Sequence, residues 1–310
     1  MSPLAFPIFI ALFLPVYLVA QAPEFIREPG GIRVIEGGKD LLFYRTQPLS
    51  IDGQFERSNY IHPLYGIDGE VLTEDFPEDH LHHRGIFWAW HQVLIGNQKV
   101  GDAWECRDFI WELQAVVLQA SDSLPSLNSR LVWKSPSYTD STGRLVPFME
   151  EKLRIGIHPG EVNYSVIDFE ISLRALVPGL MLGGSEDEKG YGGFSVRLKL
   201  PPDVHFNSEG GAIEPAETAV RAANWMDISG SMGLNGAWAG IVIISCNAFG
   251  EDGTPWILRE KASMQNAVFP GREPIRISQE NPLVLRYRLV VYKGKLSPEE
   301  IDSLQAYCTK

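Results

Sequence analysis

Cysteine and positive charge are both scarce in this sequence of 310 residues. The three cysteines, Cys106, Cys246 and Cys308, are far apart and outside any Cys-x-x-Cys motif, which argues against a structural zinc site or a redox motif. One pair could form in an oxidising compartment, but buried free thiols are the favoured interpretation. Lys and Arg number 27 against 39 Asp and Glu, a formal net charge of −12. Such a surface repels phosphate backbones, so no nucleic-acid partner is expected.

Long apolar runs are also missing after the first residues of the chain. Residues 4–20 form the only such run, and nothing later is apolar enough to span a bilayer. Small residues follow the run, which predicts a signal peptide over residues 1–22 and a secreted or periplasmic protein. The alternative, an uncleaved membrane anchor, is disfavoured because Pro7 and Pro15 interrupt the run. After cleavage no stable membrane span would remain.

Several catalytic motifs are absent from the sequence as well. It contains no Gly-x-Ser-x-Gly elbow, no His-Glu-x-x-His pair and no Gly-Lys-Ser/Thr phosphate loop, so an α/β-hydrolase, a zincin and a P-loop protein are unsupported. Residues 23–310 also show no fixed repeat and no linker rich in Pro, Gly or Ser. A single domain is therefore expected.

Alternation of polar and apolar residues dominates what is present. Residues 150–157 and 162–174 alternate on either side of a Pro-Gly turn, which predicts a long antiparallel hairpin. A shorter hairpin is predicted where Gly37 and Gly38 separate two β-prone runs. Near the end, Ser297 and Glu300 form a capping box that predicts a helix at the C-terminus. The fold class predicted is all-β, a large antiparallel β-sandwich with a short C-terminal helix.

The densest chemistry lies in residues 74–91, where four of the seven histidines stand behind a run of carboxylates. Residues 86–91 are apolar on both faces, which predicts a buried strand that holds these side chains at its mouth. His80, His82 and His83 would converge if the backbone turned there. With Asp79 nearby, the group fits general acid and base catalysis or substrate binding, because imidazole titrates near neutral pH.

Two other interpretations of this cluster remain open. A divalent metal at His80, His82 and His83 is chemically possible, and so is a purely structural role in bracing a polar loop. Arg84 would bind substrate hydroxyls or carboxylates, or else neutralise the acidic run before it.

Aromatic and glycine-rich positions add further candidates. Trp88 and Trp90 are predicted to lie in the core, whereas Trp104 stands in a polar loop and is the better candidate for ligand contact. In residues 186–197, Glu186 is a candidate proton-transfer group, and glycines around Tyr191 would let a ligand approach it and Lys189 closely. The alternative is an exposed acidic turn that leads into a strand.

These motifs carry a resemblance to a known family. His62-Pro63-Leu64-Tyr65, the block of residues 79–90 with its His-His-Arg-Gly core, the block 189–197 and Thr254-Pro255-Trp256 resemble the PmoA-like family of bacterial proteins of unassigned function. The resemblance runs from about residue 32 to residue 293. It implies a galactose-mutarotase-like supersandwich, in which related enzymes bind sugars and use a histidine and a carboxylate as acid and base.

Two functional hypotheses follow. In the first, the protein is an exported carbohydrate epimerase, lyase or hydrolase in which His82 or His83 and Asp79 or Glu186 exchange protons with a sugar. In that scheme the sugar is a small molecule or an oligosaccharide, no cofactor is required, and the hydroxyls are held by a second set of side chains: His62, His80, Arg84, Trp104, Lys189 and Tyr191. In the second, the same cleft is a non-catalytic sugar-binding or metal-binding module. The sequence gives no oligomeric state.

Overall fold

The computed structural model describes residues 22–120, 124–247, 253–261 and 263–309. The predicted signal segment 1–22 lies outside these residues, except for its last position. The described chain is almost entirely β-structure and ends in one short α-helix. Its strands are β1 (Glu24–Glu28), β2 (Gly31–Glu36), β3 (Lys39–Arg45), β4 (Leu49–Ile51), β5 (Gln54–Arg57), β6 (Tyr60–Leu64), β7 (Ile86–Trp90), β8 (Gln92–Ile95), β9 (Gln98–Gly101), β10 (Ile110–Gln119), β11 (Ser126–Lys134), β12 (Met149–Ile157), β13 (Tyr164–Ala175), β14 (Leu180–Gly183), β15 (Gly192–Val196), β16 (His205–Ser208), β17 (Gly211–Ala212), β18 (Val220–Ala222), β19 (Trp225–Gly230), β20 (Ala239–Ser245), β21 (Thr254–Ile257), β22 (Gln265–Val268), β23 (Ile275–Arg276) and β24 (Leu283–Lys293).

Two large antiparallel sheets dominate the fold. The first has the order β1-β2-β3-β6-β7-β15-β22-β21-β18, and the second has the order β10-β11-β12-β13-β24-β20-β19-β16-β17. A four-stranded sheet, β23-β14-β8-β9, and the hairpin β4-β5 complete the structure. The sheets pack face to face over one core, where the ring of Phe169 on β13 lies 5.2 Å from that of Phe194 on β15. This arrangement confirms the predicted all-β sandwich.

The predicted hairpins are also present. In the longer one, β12 pairs with β13 from Met149 opposite Ala175 to Ile157 opposite Ile167. Every second residue of β13 is buried, beginning with Ser165, so one face of that strand meets the core. The shorter hairpin joins β2 to β3 through Gly37 and Gly38, both of which have positive φ.

β7 lies in the interior of the first sheet, between β6 and β15. All five of its residues are at most 1% exposed, which confirms the predicted strand and the predicted core positions of Trp88 and Trp90. Gly192 pairs with Trp90 at the start of β15, so residues 91 and 191 meet at the same edge of the sheet. That edge carries the site described below.

The C-terminal helix α1 (Pro298–Gln305) is capped at its N-terminus by Ser297. The Ser297 side chain accepts a hydrogen bond from the Glu300 backbone N–H, and the Glu300 side chain accepts one from the Ser297 backbone N–H. The predicted capping box is thus confirmed, and Ile301 packs into a small second core on the outside of the second sheet. Beyond the helix, Cys308 forms a disulfide with Cys246, with their Cα atoms 5.1 Å apart. The expectation of three free thiols was therefore wrong for this pair, because the fold brings together cysteines 62 positions apart; Cys106 is free.

Within the described residues, no helix combines the length and the apolar character needed to cross a bilayer.

Candidate functional site

The histidine-rich segment forms a closed loop between β6 and β7. The Gly85 backbone N–H donates to the Glu74 carbonyl at 2.8 Å, which brings the two ends of the segment together. Two tight turns lie between them, since His80 N donates to the Pro77 carbonyl and His83 N donates to the His80 carbonyl. With these turns the side chains of His80, His82 and His83 lie together, which is the arrangement expected if the backbone turned there.

The three imidazole rings pack against one another. The rings of His80 and His83 are stacked with their centroids 4.6 Å apart, and His82 meets His83 edge to face at 4.5 Å. Nitrogen atoms that shared a metal ion would instead point to one centre. Among the residues that the structure describes, no group of three or more His, Cys, Asp or Glu side chains is arranged to hold a metal ion.

Arg197, a buried arginine directly after the last residue of β15, anchors this loop through Glu74 and Asp79. Arg197 is 2% exposed and holds both oxygens of Asp79, at 2.9 and 2.7 Å, and one oxygen of Glu74, at 2.7 Å. Burial acts to raise the pKa of Asp79, but the hydrogen bonds from Arg197 and His80 outweigh it and lower that pKa to about 2. Asp79 is therefore an ionised positioning group, and a poor proton acceptor.

Asp79 in turn orients His80. Its Oδ2 lies 2.6 Å from Nδ1 of His80, whose side chain is 43% exposed. Because Asp79 is ionised and can only accept, Nδ1 must carry the proton and donate a hydrogen bond to the carboxylate. This fixes the tautomer of a neutral His80 and leaves its Nε2 as an available proton acceptor.

A second aspartate and histidine pair lies close by. Nδ1 of His91 is 3.1 Å from Oδ2 of Asp102, which also contacts Lys99 at 3.1 Å. Burial acts to raise the pKa of Asp102, and the hydrogen bond from His91 and the charges around it lower it overall. As in the pair of Asp79 and His80, the ionised Asp102 carboxylate holds Nδ1 of His91 and leaves its Nε2 for other partners.

The histidine of each pair lines one cavity of about 300 Å³. His80, His82, His83 and His91 form much of its wall. The remaining lining comprises aromatic, charged and small polar side chains together with one methionine: Trp104, Tyr191, Glu105, Asp187, Lys189, Ser185, Ser263 and Met264. A partly open cavity with several converging polar groups and aromatic walls is typical of small-molecule sites.

The other two histidines of the cavity are electrically neutral near pH 7. Burial, His80 and the Arg57 cation lower the pKa of His82 to about 4. Burial and the two neighbouring imidazoles lower the pKa of His83 to about 2. Each therefore offers hydrogen bonds as a neutral imidazole at neutral pH, and the acid or base role expected of them stays a prediction.

Trp104 and Tyr191 form the aromatic wall of the cavity. Trp104 stacks on His91 at 5.3 Å and lies 5.6 Å from Tyr191, centroid to centroid. Trp104 lines the cavity as expected but is only 2% exposed, so it presents little surface to a ligand. The Tyr191 hydroxyl accepts a hydrogen bond from Arg259 at 2.9 Å, which holds the ring in place.

Four predicted site residues are not part of this cavity lining: Asp79, which contacts it only through His80, and Arg84, His62 and Glu186. Arg84 is 0% exposed and donates to Asp75 and to the carbonyls of Leu49 and Phe55, so its place supports the alternative in which it neutralises the acidic run. His62 is half-buried on β6, with Nδ1 3.0 Å from the Thr73 hydroxyl. Glu186 is exposed, and its neighbour Asp187 lines the cavity instead.

Four residues that build the site were not predicted as site residues: His91, Glu105, Asp187 and Arg197. His91 had a usable signal, because alternation placed it on the face of the strand that carries Phe87. Glu105, whose Oε2 lies 3.7 Å from Nδ1 of His82, directly follows Trp104 in the predicted ligand loop. Arg197 ends the quoted block of residues 189–197, but nothing local shows that its partner lies 118 positions away.

Fold and site together define an all-β sandwich protein with a histidine-lined cavity at the edge of its first sheet. The chain belongs to a family of unknown function, DUF6807, whose model matches residues 32–306. No curated protein matches the sequence.

Proposed function

We propose that this protein is an exported carbohydrate-active enzyme that transfers protons to and from a sugar. The observation that carries the proposal is the pair of imidazoles, His80 and His91, each held at Nδ1 by an ionised aspartate and each bordering the same cavity. One can remove a proton while the other supplies one, which is the requirement of general acid and base catalysis.

The rest of the cavity suits a hydroxyl-rich neutral ligand. His82 and His83, as neutral imidazoles, can each donate and accept hydrogen bonds, and Lys189 and Asp187 add charged partners of opposite sign. Tyr191 supplies an aromatic surface against which the C–H face of a sugar ring can pack.

The imidazole pair favours an epimerase or a lyase over a hydrolase. Most glycoside hydrolases act through two carboxyl groups, one of which must hold a proton near neutral pH. Here Asp79 and Asp102 both have lowered pKa values and are occupied in orienting histidines. Of the two carboxylates in the lining, Asp187 also has a lowered pKa, and Glu105 lies 3.7 Å from Nδ1 of His82. Abstraction of a proton from carbon or from a sugar hydroxyl fits these groups better.

Two further parts of the proposal rest on other features. The resemblance to the PmoA-like family and to a galactose-mutarotase-like supersandwich agrees with sugar chemistry, although a fold alone does not determine an activity. The apolar run at residues 4–20 and the disulfide between Cys246 and Cys308 support export, because disulfides persist in oxidising compartments.

The test combines a glycan array, calorimetry and NMR detection of altered sugar on purified mature protein. We expect a sugar that binds and is converted by the wild type. His80→Gln and His91→Gln should lower turnover by roughly 100-fold or more while the Kd changes only a few-fold. The control His205→Gln, an exposed histidine on β16, should change neither.

Two outcomes would contradict the proposal. Sugar binding without conversion by the wild type would make the protein a binding module. No response to any glycan would remove the carbohydrate assignment altogether.

A further inference from the structure

We infer that the substrate spans two adjoining cavities and is at least a disaccharide, with one sugar unit among the histidines and the next beyond Tyr191. This inference rests on the proposed function and adds the length of the substrate to it. It derives from a second cavity of about 510 Å³ that shares Lys189 and Tyr191 with the histidine-lined one.

The second cavity lies between two loops that bring polar and apolar groups together. Beyond the two shared residues, its lining is Pro215, Ala216, Glu217, Leu258, Arg259 and Glu260. Each cavity lies within the range of about 300–1,000 Å³ typical of ligand sites. A single sugar ring held by the histidines would leave the larger cavity unused.

The junction between the cavities is held rigidly. Arg259 donates to the Tyr191 hydroxyl at 2.9 Å and to the carbonyls of Ala216 and Glu217 at 2.7 and 2.8 Å. The Arg259 backbone exchanges two hydrogen bonds with the Gln265 side chain, both at 2.8 Å. The Tyr191 ring and the 215–217 loop are thus fixed before any ligand arrives, which lowers the entropy cost of binding.

The charges of the second cavity suit a neutral sugar better than an anion. The two terminal nitrogens of Arg259 already donate to three carbonyls and the Tyr191 hydroxyl. The other charged groups are Lys189, Glu217 and Glu260, which are of mixed sign. Lys189 lines both cavities, where its ammonium can donate to the oxygen that links two sugar units.

The experiment compares matched saccharides on full-length mature protein and two tryptophan variants. Calorimetry would measure Kd for glucose against cellobiose and maltose, galactose against lactose, and xylose against xylobiose, together with any longer glycan found on the array. Ala216→Trp places a bulky ring at an exposed position of the second cavity, and Thr218→Trp, an exposed position of the same loop outside the lining, is the control.

We expect the best disaccharide to bind the wild type at least about tenfold more tightly than its monosaccharide. Ala216→Trp should weaken disaccharide binding about tenfold and leave monosaccharide binding unchanged, whereas Thr218→Trp should alter neither. Equal affinity for both lengths, or no effect of Ala216→Trp, would overturn this inference while the proposed function stands. No binding of any saccharide would overturn both.

Discussion

Glu151 shows how a single carboxylate can join the two sheets. It is 0% exposed, and its oxygens accept hydrogen bonds from Asn59 at 2.7 Å, from Trp88 at 2.6 Å and from Trp133 at 2.7 Å. Burial raises its pKa, and these three hydrogen bonds act in the opposite direction. Since β7 and β12 belong to different sheets, this group links them through the core.

Replacing Glu151 with Gln should therefore destabilise the fold. The NH₂ group of the new amide cannot accept a hydrogen bond, so at least one of the three donors is left without its acceptor in the core. We expect a loss of about 2–4 kcal/mol in the free energy of unfolding, measured in urea. Glu170→Gln is the control, because Glu170 pairs with Arg286 on the exposed face of the second sheet and should cost less than about 1 kcal/mol. Equal losses in the two variants would contradict this role for Glu151.

Buried histidines should make the stability of the protein depend on pH. Burial lowers the pKa of His62 to about 4, with the nearby Asp75 partly offsetting it. The unfolded chain binds a proton at this histidine below about pH 6.5, whereas the folded protein binds it only below about pH 4. Stability contributed by the neutral imidazole is thus present above pH 6.5 and is lost as the pH falls toward 4. The pKa of His82 is also lowered to about 4, so His82 contributes to stability over the same pH range.

We expect the free energy of unfolding to decrease as pH falls from 6.5 to 4. His62→Gln should reduce that slope by at most about 1.4 kcal/mol per pH unit, the value for one proton. Urea titrations at half-unit pH steps would measure it, with His205→Gln as the control that keeps the wild-type slope. An unchanged slope in His62→Gln would show that His62 is not protonated on unfolding.

At the scale of residues, the sequence predicted several of the side chains that line the cavity, but not the chemical role of each. His80, His82, His83, Lys189, Tyr191 and Trp104 all line the cavity. Their roles depend on neighbours supplied by distant strands: Arg197 fixes Asp79, and burial keeps His82 and His83 neutral. Such partners are visible only after folding.

Gly85 determines how the histidine loop enters β7. Its φ is +48°, and a Cβ at this position would lie 2.0 Å from the Ile61 carbonyl oxygen on β6. Its own carbonyl accepts a hydrogen bond from Arg197 N at 2.7 Å, which ties the loop to β15. The close approach of β6 therefore requires glycine.

We expect Gly85→Ala to cost at least about 3 kcal/mol, because backbone overlap adds to the strain of positive φ. Gly69→Ala is the matched control: its φ is +93°, but a Cβ there meets open space, so the cost should be about 1 kcal/mol. Urea unfolding of both variants would measure the difference. Similar costs would mean that β6 can move away without loss.

The disulfide should be the strongest single constraint on the C-terminal element. It closes a loop of 62 positions, for which the chain-entropy model gives about 4 kcal/mol. Cys308→Ser should lower the unfolding free energy by about that amount or less, and a reducing agent should lower the wild type equally. The same agent should have no further effect on Cys308→Ser. A variant as stable as the oxidised wild type would contradict a stabilising role.

At the scale of elements, strong local patterns were predictive. Long alternation predicted β12 and β13, a pair of glycines predicted the hairpin of β2 and β3, and the capping box predicted α1. Short elements such as β17 and β23, each of two residues, have no such pattern and exist because neighbouring strands offer backbone partners. The disulfide pairing was missed for the same reason, since it depends on how β20 and the end of the chain meet.

For the whole molecule, alternation predicted the architecture, whereas composition gives only an expectation about partners. The net charge of −12 argues against polyanionic partners, and the predominance of alternating strands predicted the sandwich that the two nine-stranded sheets form. Neither reveals that the edge formed by the end of β7 and the start of β15 carries the cavity. The site depends on register, because Gly192 pairs with Trp90 and so brings Tyr191 beside His91.

We propose above all that Asp79 holds His80 with its Nε2 available to a sugar in the cavity. The most direct test is ¹⁵N NMR of the histidine side chains in the labelled protein, with and without the saccharide that binds most tightly. We predict that neutral His80 carries its proton on Nδ1 in the free protein, and that its Nε2 resonance shifts on addition of the sugar while that of His158 does not. A proton on Nε2 of His80, or no response at His80 to a bound sugar, would contradict the account.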